Sequence, residues 1–137
     1  MNRASAIIFL SVAAALSLSS STLAQTPWLK LGDVGQTVYL DTTSITHPSA
    51  HVAVVELRLA NYMGAGYDQV ETDEMDCRTR QSRVTRVRIQ PVSLDAPFQL
   101  RAPPPDTAWV TYSPGSFGAA TLDAVCAYLA RSTSRGS

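Results

Sequence analysis

Along the chain, stretches with apolar side chains at every second position give way only once to an apolar spacing of three and four. The clearest alternation is HVAVVELRLANYM, where Ala53, Val55, Leu57 and Leu59 fall on one face and Glu56 and Arg58 on the other, the signature of a half-buried strand. Trp28 to Leu31 reads as a short first strand, and GDVGQ after it as a turn. Thr37 to Asp41 is β-branched and aromatic, and leads into TTSITHPS, where Asp41 and Ser44 suit turn amides. Gly64 and Gly66 mark a loop or hairpin tip, further strands are predicted over Val70 to Cys77 and from about Arg83 to Val92, and Trp109 to Tyr112 closes the strand-like part. Between them, RAPPPDT is a stiff connector, because its three successive prolines fix φ and donate no amide hydrogen.

From Ser116 the period changes. Ser116 is a candidate helix cap, and Leu122, Val125, Cys126 and Leu129 recur at helical spacing, which places Cys126 on the buried stripe. The tail RSTSRGS from Arg131 reads as loose, with the domain spanning residues 25–131 and the tail 132–137.

The first segment, MNRASAIIFLSVAAALSLSSSTLAQ, has one charge, Arg3, then an apolar run to about Leu18 and small residues before Gln25. This pattern is that of a secretory signal over residues 1–24 cleaved after Ala24, and Ser11 and Ser17 interrupt a run too short for the roughly 20 apolar residues of a membrane anchor. Gln25, not cysteine, follows the cleavage point, so the expected product carries no lipid and is periplasmic or secreted. No membrane anchor is expected after cleavage.

Export changes how the two cysteines are read. In an oxidising compartment Cys77 and Cys126 are expected to be bridged, and closing a loop of that size stabilises by about 4 kcal/mol in the chain-entropy model. Two reduced, buried thiols are the alternative; a catalytic CxxC is excluded by the spacing.

Charge adds less. The chain has 11 basic and 11 acidic side chains, so a global attraction to nucleic acid or anionic lipid is unsupported, and charged recognition has to come from local clustering. One cluster stands out: DEMDCRTRQSRVTRVRIQ holds five of the ten arginines, Arg78, Arg80, Arg83, Arg86 and Arg88, just after a run of acids. If the chain turns near Thr79 and Arg80, pairing Met75 with Val84 sets Asp76 against Arg83, Asp73 against Arg86 and Glu71 against Arg88, a self-neutralised hairpin. That register leaves Cys77 on the face of the ion pairs and Val87 and Ile89 on the other, so it requires a β-bulge or cover on both faces. As one long strand the segment would instead line Arg78, Arg80, Arg86 and Arg88 along a face, a site for acidic ligands held by bidentate guanidinium contacts.

Candidate chemistry is sparse. His47 and His51 are four apart but have Pro48 between them, which argues against a helical metal half-site. No serine sits in a G-x-S-x-G elbow, and MGAGYD lacks the third glycine of a phosphate cradle. Asp73, Glu74 and Asp76 invite acid/base or calcium chemistry, yet neighbours on a strand point to opposite faces and no calcium-loop glycine is present. The expectation is a protein without catalytic residues, metal or cofactor.

The order of landmarks resembles the bacterial surface-adhesin protein E family: WLKLG at Trp28, VYLDTTSI from Val38, VAVVELRLANY, the pair Asp76–Cys77 before an arginine-rich run, WVTYSPGS from Trp109, and Val125–Cys126. The resemblance implies an α+β fold, an antiparallel β-sheet of about six strands with one C-terminal α-helix packed on it and tethered by a disulfide. It also implies an exported, non-enzymatic protein of a Gram-negative bacterium that binds a protein ligand, either a host extracellular-matrix or serum protein or a partner in the envelope. The family tends to have aromatic residues where this chain has Arg86 and Arg88, so no ligand contact carries over there, and Asp41, Ser44, Trp109 and Ser116 match as turn, core and cap positions. The alternatives are a periplasmic accessory or structural protein and a small-ligand carrier using the concave sheet face under the helix. Free edge strands would also permit a homodimer.

Overall fold

The computed structural model describes residues 27–33, 35–62, 66–92 and 102–135. The signal segment 1–24, the glycine at position 64 and the start of the proline connector lie outside the described residues. Six strands form one antiparallel sheet in sequence order: β1 Trp28–Gly32, β2 Val38–Asp41, β3 Val52–Leu59, β4 Tyr67–Asp76, β5 Gln81–Pro91 and β6 Val110–Thr111, followed by α1 Phe117–Ser134. The expected α+β architecture is therefore present, a meander with α1 laid across one face.

The alternation of β3 decides which face is covered. Ala53, Val55, Leu57 and Leu59 are buried and the positions between them only partly so. They meet Val38 and Leu40 of β2, Met75 of β4, and Leu122 and Val125 of α1 in one cluster. Each of the valine, leucine and methionine side chains contributes roughly 1.5–3 kcal/mol on burial. α1 begins as expected, with Ser116 Oγ accepting from the Ala119 amide at 3.2 Å. It runs on to Ser134, so Ser132 to Ser134, read from sequence as tail, continue the helix. Their hydroxyls donate back to the carbonyls of Leu129, Ala130 and Arg131, three or four residues earlier. The expected bridge is present: Cys77, one residue past β4, is joined to Cys126 of α1 with a Cα–Cα distance of 5.7 Å.

The β4–β5 register differs from the expected one. Asp76 closes the turn, its Oδ1 accepting from the amides of Arg78 (2.9 Å) and Thr79 (3.0 Å), while Arg80 adopts φ 62°. This local bonding sets Asp76 opposite Gln81, Met75 opposite Ser82 and Glu74 opposite Arg83. Asp76–Arg83, Asp73–Arg86 and Glu71–Arg88 are accordingly not partners, because the turn is tighter than the assumed one by two positions in the pairing. The turn also removes the single long strand through Arg78 and Arg88. A bulge lies at Thr85, skipped between the Asp73–Val84 and Thr72–Arg86 pairs, with Thr85 Oγ1 donating to the Thr72 carbonyl at 2.9 Å. The extra residue turns Val87 and Ile89 to the helix side and Arg86 and Arg88 to the opposite side, which is the conflict that the simple register could not resolve.

Candidate functional site

The sheet has a covered face and an open face, and β4 carries acids on both. On the open face Arg58 is held between two rings, 5.0 Å from the Trp28 centroid and 4.5 Å from that of Tyr39, close enough for cation–π attraction. Its Nε is 3.8 Å from Asp68 Oδ2, an ion-pair distance but not a hydrogen bond. Arg83 gives Glu74 Oε2 contacts of 2.8 Å from Nε and 2.6 Å from Nη2, and its guanidinium lies 4.9 Å from the Trp109 ring. Arg88 Nη2 reaches Glu56 Oε2 at 2.9 Å. Val70 stands between Arg58 and Arg88 in the register and is only 1% exposed, as expected where long stems lie over an apolar neighbour while their heads stay wet.

The five arginines are therefore not one cluster. Arg83, Arg86 and Arg88 share the open face of β5, whereas Arg78 and Arg80 sit in the turn. Arg80 pairs with Asp123 of α1, joining the hairpin turn to the helix. Arg78 and Arg86 are exposed and form no ion pair among the described residues. His47 and His51 do come together with Arg78, along a hollow of about 240 Å³ beside the disulfide, but among the described residues no three metal-ligating side chains converge.

The covered face holds the group that sequence reasoning missed. Glu71 and Asp73 lie two apart on β4, opposite Leu57 and Val55, on the same side as the core. Asp73 is 4% exposed, and its Oδ1 is buried without a hydrogen-bond partner. Burial, reinforced by the neighbouring Glu71 charge, pushes the Asp73 carboxyl well above the usual range. Glu71 is raised by burial too, offset in part by the bond it accepts from Gln69 Nε2. The signal was available: counting back in twos from Met75, a core residue, reaches both acids.

These carboxylates face a hollow of about 140 Å³ between the sheet and the first turns of α1. Leu57, Leu59 and Met75 line it from the strands, Phe117, Gly118 and Thr121 from the helix. Ser82 and Tyr112 line it as well, their hydroxyls 2.9 Å apart. Gly118 is required where it is, since a methyl there would overlap the Tyr112 ring. The volume is well under the roughly 300 Å³ at which pockets for drug-sized ligands begin, so a carrier for such a cargo is not supported here.

The comparisons with known proteins give one match. The family model described as Surface-adhesin protein E matches residues 28–127, from the first residue of β1 to just past Cys126. No curated protein and no solved structure matches the chain.

Proposed function

The chain belongs to the surface-adhesin protein E family, and from that footing we propose that it is an exported, non-enzymatic binding protein whose open sheet face docks a host extracellular-matrix or serum protein. The supporting observation is the composition of that face. Trp28, Tyr39 and Arg58 at one side and Arg83 with Trp109 at the other are stacked aromatic–guanidinium groups on the side away from the helix. Trp, Tyr and Arg are the residue types most enriched at binding hot spots, and their mutual stacking holds them in place before a partner arrives, which lowers the ordering cost of association.

Among the described residues Arg86 forms no ion pair on this surface and Arg88 is its half-exposed neighbour, so an acidic patch suits the partner. Cleavage after Ala24 and release as a periplasmic or secreted chain complete the reading; among the described residues no helix is long and apolar enough to cross a membrane. The test is interferometry of the oxidised chain over immobilised matrix extract and serum proteins. Arg86→Glu with Arg88→Glu is expected to weaken capture at least tenfold and to flatten its salt dependence. Equal capture by this variant, or by Trp109→Ala with Trp28→Ala, would overturn the proposal.

A further inference from the structure

We propose that the hollow beneath the first turns of α1 is a binding site for a primary ammonium group on a short alkyl chain, with Asp73 and Glu71 as its anionic end and Leu57, Leu59 and Phe117 as its apolar wall. The ammonium belongs either to a lysine side chain or to a small free amine. This inference goes beyond the open face and does not depend on it, since the hollow opens on the other side of the sheet.

Asp73 is a buried acid with an unpartnered carboxyl oxygen. A buried carboxylate costs several kcal/mol unless it is paired and hydrogen-bonded, and buried polar atoms without partners are few in folded proteins. Asp73 Oδ1 is such an atom, in a side chain 4% exposed that lines the hollow. No lysine, arginine or histidine lines the hollow among the described residues, so an incoming cation meets two acids and no competing base, and would favour the ionised form of Asp73 that burial disfavours. An acidic pair thus lines the hollow, and one of its two side chains is buried with an oxygen that has no hydrogen-bond partner.

Size and donor set narrow the cation. About 140 Å³ is close to the ~150 Å³ of an engineered cavity that admits benzene, which suits a four-carbon chain with an ammonium. A calcium ion takes 6–8 oxygen ligands, and among the described residues no group of three acidic or metal-ligating side chains is present to begin such a shell. Ser82, Tyr112 and Thr121 also line the hollow and carry hydroxyls that can accept.

The experiment is an amide NMR titration of the oxidised full chain with n-butylammonium, with n-butanol as the uncharged counterpart and with lysine capped as an acetyl methylamide. Saturable shifts at Asp73, Met75, Gly118 and Thr121 with butylammonium, absent with butanol, are expected. Asp73→Asn should weaken binding at least tenfold with the spectrum otherwise preserved, and Glu71→Gln should weaken it less. The ionisable groups facing the hollow are Glu71 and Asp73 from β4 and Tyr112 from the segment after β6; α1 contributes Phe117, Gly118 and Thr121, none of which ionises. Affinity should therefore fall as acidification protonates Asp73. Binding of the capped lysine as tightly as butylammonium assigns the site to a polypeptide side chain, and exclusion of the capped lysine assigns it to a free amine. Butanol shifting the same amides equally, an unchanged affinity in Asp73→Asn, or no saturable shift would overturn the site.

Discussion

β4 is one strand with two opposite electrostatic solutions. On its open face Asp68 and Glu74, close to water, each have an arginine partner, and Glu56 of β3 has one too. On its covered face, among the described residues, Asp73 Oδ1 is buried with no hydrogen-bond partner and Glu71 accepts from Gln69. Stability alone would favour the reverse, because exposed ion pairs are worth little and buried lone carboxylates are expensive. The paired face is tuned to stay ordered in solvent; the unpaired face retains a cost that packing does not require. Costs of this kind gather where a surface has work to do.

The comparison is broken most strongly by removing the cover. Cys77→Ser with Cys126→Ser is expected to lower unfolding free energy by about 4 kcal/mol, read from urea denaturation against the oxidised wild type; a change under about 1 kcal/mol would mean that the helix holds its place by packing alone. Next, Gly118→Ala should cost roughly 1–3 kcal/mol by overpacking, because the added methyl meets a rigid Tyr112 ring rather than a flexible chain end. Tyr112→Ala in the same background should recover part of that loss in thermal melts.

Smaller in size but opposite in sign is Asp73→Asn, expected to stabilise by on the order of 1 kcal/mol at neutral pH. The sign follows from linkage: Asp73 and Glu71 have folded values raised above the unfolded ones, so the native state binds more protons. Stability should rise as pH falls from neutral through the folded Asp73 value and level off below the unfolded one. Exposed Asp76 works the other way, since the amide bonds from Thr79 and then Arg78 lower its value, and its contribution is lost as pH falls through that lowered value. Melts of Asp73→Asn should show a smaller rise on acidification, the share left by Glu71; a wild-type curve that only declines from neutral pH would refute the assignment of Asp73 as an uncompensated acid. Smallest of all, Arg83→Ala on the open face should cost no more than about 1 kcal/mol by the same melts, and a loss of several would show that the outer ion pair is structural.

How far the chain could be read from its residues varies along it. The β3 stripe, the Ser116 cap and the Leu122–Val125–Cys126 helix face were legible because each depends on neighbours a few residues away, and the bridge followed from having two cysteines in a chain expected to be exported. The hairpin pairs Asp73–Arg86 and Glu71–Arg88 were misread because register depends on where Asp76 bends the backbone and on one extra residue at Thr85, and a slip of one position inverts every face. The acidic pair was passed over because its neighbours alternate acid with acid, so composition hid a periodicity that Met75 would have anchored.

By itself the sequence determined the elements, their order, the covalent tether and membership of the surface-adhesin protein E family, since hydrophobic period, cap chemistry and cysteine count are local or additive properties. Only the tertiary structure decided which arginines stand together and which carboxylates go without a partner. Those outcomes depend on register, on a bulge and on where a helix is laid, and each sums many weak contacts between residues far apart in the chain.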